Sequence, residues 1–454
     1  MIFKTGVAIV GGGCSGTLVA VQLLRQGYKG GIAIVEARRE LGKGLAYCTG
    51  HDEHLLNVPA GKMSAFPDRS SDFLDWLHAH GASAAVPGTF APRRLYGEYL
   101  ADLLESECSR MPSGVECRQI CGEAATIALE NGAAKVVLAD GDCIEAERIV
   151  LAIGNPASSP AVDAATTEVE TLLHPSPWLG DALRLRFPTE RVLLLGSGLT
   201  AVDCMLTLLG QGEGSQVTMV SRRGILPQRH TACLPAPAFA PPVGSASAAA
   251  VLREVRARIE GLREQGHCWR VALDGLRPVS NQIWSGLPTA ERKRFLRHMK
   301  PYWEPHRHRM APVIAERLQS YRSEGRLTVI AGRVRKLVRT GDSIQAEVSQ
   351  SNGGELQLSA DRVINCTGIL ENYGDSPRPL VRRLMADGLT CANELGIGFK
   401  TDGDGALLNA GGSPSTTLFT LGPPRRGELF ETTAVPEIRV QAEALATRLI
   451  RGSW

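Results

Sequence analysis

The dominant pattern in this chain is short apolar runs that end in glycine. Val7-Ala-Ile-Val10 runs into Gly11-Gly-Gly-Cys-Ser-Gly16, and apolar positions then recur at helical spacing from Thr17 to Gln26. Gly27 stops that helix, and a second apolar run, Ile32-Ala-Ile-Val35, stops at Glu36. The pattern predicts strand, glycine loop, helix, strand. It returns at Val192-Leu-Leu-Leu195, Gly196-Ser-Gly198-Leu-Thr-Ala201, a helix to about Gly210, and Val217-Thr-Met-Val220. Two further apolar runs end in glycine turns: Arg148-Ile-Val-Leu-Ala-Ile-Gly154-Asn-Pro156 and Arg362-Val-Ile-Asn-Cys-Thr-Gly368. Continuous apolar strands alternating with helices imply an α/β fold with parallel sheets covered on both faces.

The spacing of the first loop carries a chemistry. Gly11 makes a tight turn out of the strand, Gly13 lets a pyrophosphate approach bare backbone, and Gly16 lets the helix pack closely on the sheet. The helix N-terminus around Cys14 and Ser15 offers free N–H groups and the positive end of a dipole. Glu36 closes the second strand, where a carboxylate binds ribose hydroxyls and repels a 2′-phosphate, which favours FAD or NAD(H). In the second copy Ala201 stands for the third glycine, and Ser197, Leu199 and Thr200 complete the loop and helix start. Its second strand ends in Ser221-Arg222-Arg223 instead of an acid. A hydroxyl and two guanidiniums suit the 2′-phosphate of NADPH.

Two Rossmann-like dinucleotide-binding units are therefore expected, an FAD domain with an inserted NADPH domain, plus a helical insert. The expected limits are residues 1–185 for the first FAD segment, 186–345 for the NADPH domain with its helical insert at about 235–322, and 346–454 for the returning FAD segment. Residues 234–250 read as loop from their Pro, Ala, Gly and Ser content, 249–265 and 288–322 as charged helix, and 328–359 as strands around turns at Thr340-Gly-Asp342 and Ser351-Asn-Gly-Gly354.

Composition narrows the function classes. A net charge of +3 over 454 residues gives no reason to expect nucleic acid or an anionic membrane surface. The chain has neither a run of about 20 apolar residues nor a signal-peptide pattern, so the cytoplasm is the expected location. The eleven cysteines include no CxxC, and Cys117 and Cys121 read as one helical turn apart. The ten histidines form no HExxH or Cys/His cluster, so no metal is expected.

Other segments carry candidate site residues. Asn57, Met63 and Ser64 lie in an apolar loop suited to lining a flavin. His306, Arg307, His308 and Arg309 form a cationic run beside Tyr302 and Trp303, suited to a substrate carboxylate or a phosphate. Gly422, Arg426, Glu431, Thr432 and Thr433 lie before a helix expected near Val435, where hydroxyls and N–H groups suit pyrimidine carbonyls.

Several stretches resemble FAD/NAD(P)-binding proteins of the YdhS type. They are Gly44-Leu-Ala-Tyr47, His54-Leu-Leu-Asn-Val-Pro-Ala60, Met63-Ser-Ala-Phe-Pro-Asp68, Arg93-Arg-Leu-Tyr-Gly-Glu-Tyr99, Tyr302-Trp303, His306-Arg-His-Arg309-Met-Ala-Pro312 and Gly427-Glu-Leu-Phe-Glu431-Thr-Thr-Ala-Val-Pro-Glu-Ile-Arg439. That family is similar in architecture to flavin-dependent N-hydroxylating monooxygenases and to aspartate N-monooxygenases that form nitrosuccinate. The kinship implies reduction of FAD by NADPH followed by reaction with O2. The strands ending at Gly154 and Gly368 resemble the chain crossings of two-dinucleotide flavoproteins. There are departures. Leu173-His174-Pro-Ser-Pro-Trp178 stands where flavin monooxygenases carry FxGxxxHxxxY/F, and Leu418-Phe-Thr-Leu-Gly422-Pro423 lacks the Asp of disulfide reductases. The expected function is an NADPH-oxidising, FAD-dependent monooxygenase of a small amine or amino acid, with O2 and a small-molecule substrate as partners. Two alternatives stay open: a reductase or dehydrogenase with a non-oxygen acceptor, and an electron-delivering or redox-sensing flavoprotein. A homo-oligomer is also left open.

Overall fold

The computed structural model describes residues 2–130, 133–155, 160, 162–165, 167–233, 247–368 and 373–452. Two sheets organise them. The first runs β15 (Ala406–Leu408), β16 (Pro414–Thr420), β6 (Cys143–Leu151), β1 (Ile2–Val10), β2 (Ile32–Glu36), β3 (Cys117–Cys121), with β4 (Ala124–Glu130) and β5 (Ala133–Leu138) folded off β6. β1 pairs in parallel with β2 (Val7↔Ile32) and with β6 (Val10↔Leu151). This centre is buried on both faces, which is why Val7–Val10 and Ile32–Val35 are apolar at every position and do not alternate.

On one face lie α1 (Cys14–Arg25), α2 (Asp72–Ala79), α3 (Arg93–Ser109) and the C-terminal α12 (Val435–Arg451); Leu18, Leu23, Tyr96, Tyr99, Ile438 and Leu445 form their shared core. The β4–β5 hairpin and α11 (Pro379–Ala386) cover the other face through Ile127, Val136, Leu380 and Leu384. Cys117 and Cys121 are therefore strand residues on β3, not neighbours on a helix: β3 pairs in parallel with β2, and both cysteines join that ladder.

The second sheet runs β13 (Glu355–Ala360), β12 (Ser343–Gln350), β11 (Leu327–Thr340), β10 (Gln216–Ser221), β9 (Arg191–Leu195), β14 (Arg362–Asn365), β8 (Leu173–His174), with β7 (Ala164–Ala165) against β11. β9 and β10 are parallel and flank α4 (Leu199–Gln211) in sequence. β11 starts parallel to β10, passes a bulge between Val334 and Lys336, and continues as the edge of an antiparallel layer. The chain leaves this sheet only after Asn365, later than the expected boundary near 345, because β12 to β14 are needed to complete it.

The charged stretch 288–322 divides into α8 (Thr289–His298), α9 (Lys300–Arg307) and α10 (Pro312–Ser323). The three do not form one insert. Ile314 and Leu318 of α10 pack with Met205 and Leu208 of α4, so α10 is a layer of the second unit. The insert itself is α5 (Ala248–Glu264), α6 (Trp269–Leu276), α7 (Ser280–Gly286), α8 and α9. Ser247 starts α5 by accepting from Ala250 N at 3.2 Å. Most of the expected loop, residues 234–246, lies outside the described residues, as does Pro156.

Candidate functional site

Both glycine loops use the same construction. Gly11 has φ +107°, and a Cβ there would stand 2.4 Å from Ala152 O at the end of β6. Gly196 has φ +111°, and a Cβ there would stand 2.5 Å from Cys366 O at the end of β14. Each loop is thus wedged against the neighbouring parallel strand and exits sharply into its helix. A Cβ at Gly16 would lie 1.9 Å from Gly11 O, the close helix packing that the spacing implied.

Neither helix start is capped by a side chain or carries an acid in its first turn: the N-cap of α1 is Gly13 and that of α4 is Gly198. Their first N–H groups are left for an anion. The two caps differ in surroundings. An added Cβ at Gly198 meets nothing within 4 Å among the described residues, whereas one at Gly13 would stand 3.2 Å from Gly44 Cα. Gly42 N is held on Gly12 O at 2.9 Å and Thr17 Oγ1 at 3.2 Å, so the segment 42–44 forms a second wall of the first loop. The sequence reading missed this wall; Gly42-Lys-Gly44 was its signal.

Glu36 is fixed at the end of β2. Its Oε2 accepts from Gly12 N at 2.7 Å and its Oε1 from Arg38 N at 3.0 Å. A carboxylate has about four lone-pair sites, so each oxygen keeps capacity for a ribose hydroxyl. At the matching place in the second unit, the Ser221 hydroxyl is already engaged by Ser197 Oγ at 2.7 Å and Gly224 N at 3.1 Å. Ser221 therefore braces the turn. Arg223 stacks on Tyr302 at 4.5 Å and donates to its hydroxyl at 2.7 Å, which ties it to α9. Arg222 is exposed and has no partner among the described residues. Leu199 and Thr200 open α4, half-buried.

The crossing segments end at Gly154 (φ +64°) and Gly368 (φ +99°). Arg378, which the sequence reading did not single out, donates to Ile153 O at 2.5 Å and Asn155 O at 3.0 Å and so holds the first crossing. Gly422 lies against the start of α1, where an added Cβ would be 2.8 Å from Ser15 Oγ. The returning segment thus reaches the first glycine loop. Burial pushes the Cys14 thiol up to about 12.

Several other expected site residues already have partners within the fold. Met63 is core, and Ser64 Oγ bonds Phe66 O and Arg69 O at 3.1 and 2.5 Å. Asn57 stays half-exposed; its carbonyl accepts from His230 Nε2 at 3.0 Å, and its amide has no partner among the described residues. The cationic run closes α9 and does not start a helix. Arg307 forms a two-pronged pair with Glu431, both bonds 2.9 Å, and Arg309 is buried against Asp274 and His306 O. His306 donates from Nδ1 to Tyr302 O at 2.7 Å, since a carbonyl can only accept. Thr432 is spent on Gly422 O at 2.9 Å and on Gln441 Nε2 at 2.8 Å, Thr433 is exposed, and Arg426 meets Glu304 at 3.1 Å. The run and the returning segment fasten the insert to the first unit, with both sides' charges already matched.

The two units meet in a buried polar joint. His54 is fully buried, with Nε2 at 2.7 Å from Thr207 Oγ1 and Nδ1 at 2.7 Å from Thr49 Oγ1. Burial, and then Arg93, draw its pKa down to about 4. Asp203 of α4 meets Arg93 of α3 at 2.8 Å, and burial pushes its carboxyl up to about 6 against that pull. Trp178 of the Leu173–Trp178 stretch lies edge-on to His54 at 5.9 Å. Among the described residues no group of three or more His, Cys, Asp or Glu is placed to hold a metal, and no helix is long and apolar enough to cross a membrane.

Residues 8–156 match a family model described as FAD-NAD(P)-binding. No protein of curated function matches the chain. Among solved structures, the chain is similar to the ornithine N-hydroxylase of Kutzneria sp. 744 (17% identity, 99% of each chain, TM-score 0.65). It is also similar to L-lysine 6-monooxygenase from Pseudomonas syringae (18% identity, 99% of this chain and 100% of that one, TM-score 0.66). A third is the cadaverine monooxygenase of the desferrioxamine pathway from Erwinia amylovora (13% identity, 98% and 94%, TM-score 0.68). At these identities the likeness establishes the fold: two Rossmann-like units with a helical insert, as in flavin-dependent N-hydroxylating monooxygenases.

Proposed function

We propose that the chain is an FAD-dependent, NADPH-oxidising monooxygenase of the N-hydroxylating type, acting on a small amine or amino acid. The observation that carries the reading is the pair of uncapped helix starts in one chain, one beside a fixed carboxylate and the other beside a free guanidinium. The residues fit the two groups. The α1 start and the loop Gly11–Gly16 would hold the FAD pyrophosphate, and Glu36, oriented by Gly12 and Arg38, its ribose hydroxyls. The α4 start and bare Gly198 would hold the NADPH pyrophosphate, and Arg222 its 2′-phosphate. Bound FAD would supply the two-electron chemistry that links NADPH to O2.

The chain's own residues orient and seal. The joint of His54, Thr207, Arg93 and Asp203 holds α4 against α3 and so fixes one nucleotide loop relative to the other. Its burial keeps water from the joint itself. Asn57, beside His230, is the expected site residue whose amide has no partner among the described residues, and it is the residue we assign to contact substrate. The lack of a CxxC pair speaks against a dithiol disulfide reductase. The structural neighbours act, by their descriptions, on ornithine, lysine and cadaverine, which supports an amine substrate.

Nucleotide choice provides the test. Loss of one charge-assisted contact of about 1.5–3 kcal/mol is worth roughly 10–100-fold in affinity. Arg222→Ala is expected to raise KM for NADPH by that factor and leave KM for NADH nearly unchanged. Equal effects on both would remove Arg222 from the 2′-phosphate.

A further inference from the structure

The helical insert has a poor core of its own. Across α5 to α9, Val255, Leu273 and Leu276 are the buried members of its own hydrophobic cluster. These three, with Val251, Ile259, Ile283 and Phe295, line a cavity of about 580 Å³. Three of the chain's six tryptophans, Trp269, Trp284 and Trp303, face it, and Phe430 of the returning segment closes one side by stacking on Trp284 at 4.8 Å. A void of this size lined by hydrocarbon costs packing contacts that a helix bundle would otherwise make. The volume is within the range of about 300–1,000 Å³ typical of small-molecule sites.

Among the described residues, Arg256 is the permanently charged side chain in the lining, which also holds His306, Ser280 and Tyr302 and no carboxylate. Arg256 is exposed and has no partner among the described residues, whereas the neighbouring guanidiniums of Arg277, Arg307 and Arg309 are each matched by a carboxylate. An apolar, aromatic body with an unmatched cation at its rim is complementary to an amphipathic anion. We infer that the insert carries a second ligand site, separate from the nucleotide loops, that takes a carboxylate bearing an aryl group or a medium-length alkyl chain. The tail lies among Trp269, Trp284 and Trp303, and the carboxylate meets Arg256.

The tryptophans report occupancy directly. The full-length protein is titrated with decanoate, decanol and decylamine, all below their micellar concentrations, while intrinsic fluorescence is followed without any turnover. Decanoate is expected to give a saturable change at least tenfold tighter than decylamine. In Arg256→Ala, an exposed position, decanoate is expected to fall to the level of decanol. Val255→Phe, which narrows the cavity beside the tryptophans, is expected to weaken the response to all three, with circular dichroism confirming the fold; Arg256→Ala decides alone if that variant does not fold. The absence of a saturable signal, decylamine binding as tightly as decanoate, or an unchanged decanoate affinity in Arg256→Ala would each overturn the proposal. None of these outcomes depends on the monooxygenase reading.

Discussion

Glu36 and Arg222 sit at or just past the end of the same strand in two copies of one motif, and their charges are opposite. Glu36 is held by two backbone N–H groups, so Glu36→Ala does more than remove a ribose acceptor: it frees Gly12 and Arg38 from a shared anchor. The variant is expected to purify with most of its FAD lost and to need at least tenfold more FAD for half-saturation, read by flavin fluorescence. The glycines were legible because their roles depend on backbone space, which spacing encodes. The three-way division of Ser221, Arg222 and Arg223 was not legible, because Tyr302 and Ser197, which claim two of the three, lie far from them in sequence. Arg307 and Arg309 were read as free cations for the same reason: Glu431 and Asp274 are brought to them only by the fold.

The strands and helices of the two dinucleotide units could be read closely, since continuous apolar runs and glycine stops are local signals. Helices 288–322 were harder. Charge alone does not distinguish α8 and α9 from α10, which buries Ile314 and Leu318 on the second sheet. The insert is tied to the first unit by Arg307–Glu431 and by Arg277–Glu437 at 2.6 and 2.8 Å. In the first pair both side chains are at most 10% exposed, so removing one partner leaves a buried charge. Glu431→Ala is expected to cost about 3–5 kcal/mol in urea denaturation, and Arg307→Met/Glu431→Leu to recover most of it. The joint makes a pH statement of its own. His54 has a folded pKa of about 4, below its unfolded value near 6.5, so between those values the unfolded chain binds the proton. Its stabilisation is present at pH 7 and is lost as pH falls through 6.5 toward 4. Asp203 shifts upward and acts oppositely over a similar range, so the comparison must isolate His54. The stability gap between wild type and His54→Gln is expected to narrow from pH 7 to pH 5; a gap that stayed constant would place the shift elsewhere.

At the scale of the whole molecule, the insert grows from the second unit and docks on the first, and the His54 joint fastens the same two units from another side. Two fastenings make the distance between the nucleotide loops a property of the fold. That arrangement suits chemistry in which reducing equivalents pass repeatedly between two nucleotides held at a fixed spacing. The most direct measurement follows NADPH consumption, oxygen uptake and hydroxylamine formation together, in the FAD-loaded protein, across small amines and amino acids. The account expects one amine class to stimulate all three in equal proportion. NADPH oxidation driven only by quinones or dyes, with no amine raising oxygen uptake or yielding a hydroxylamine, would contradict it.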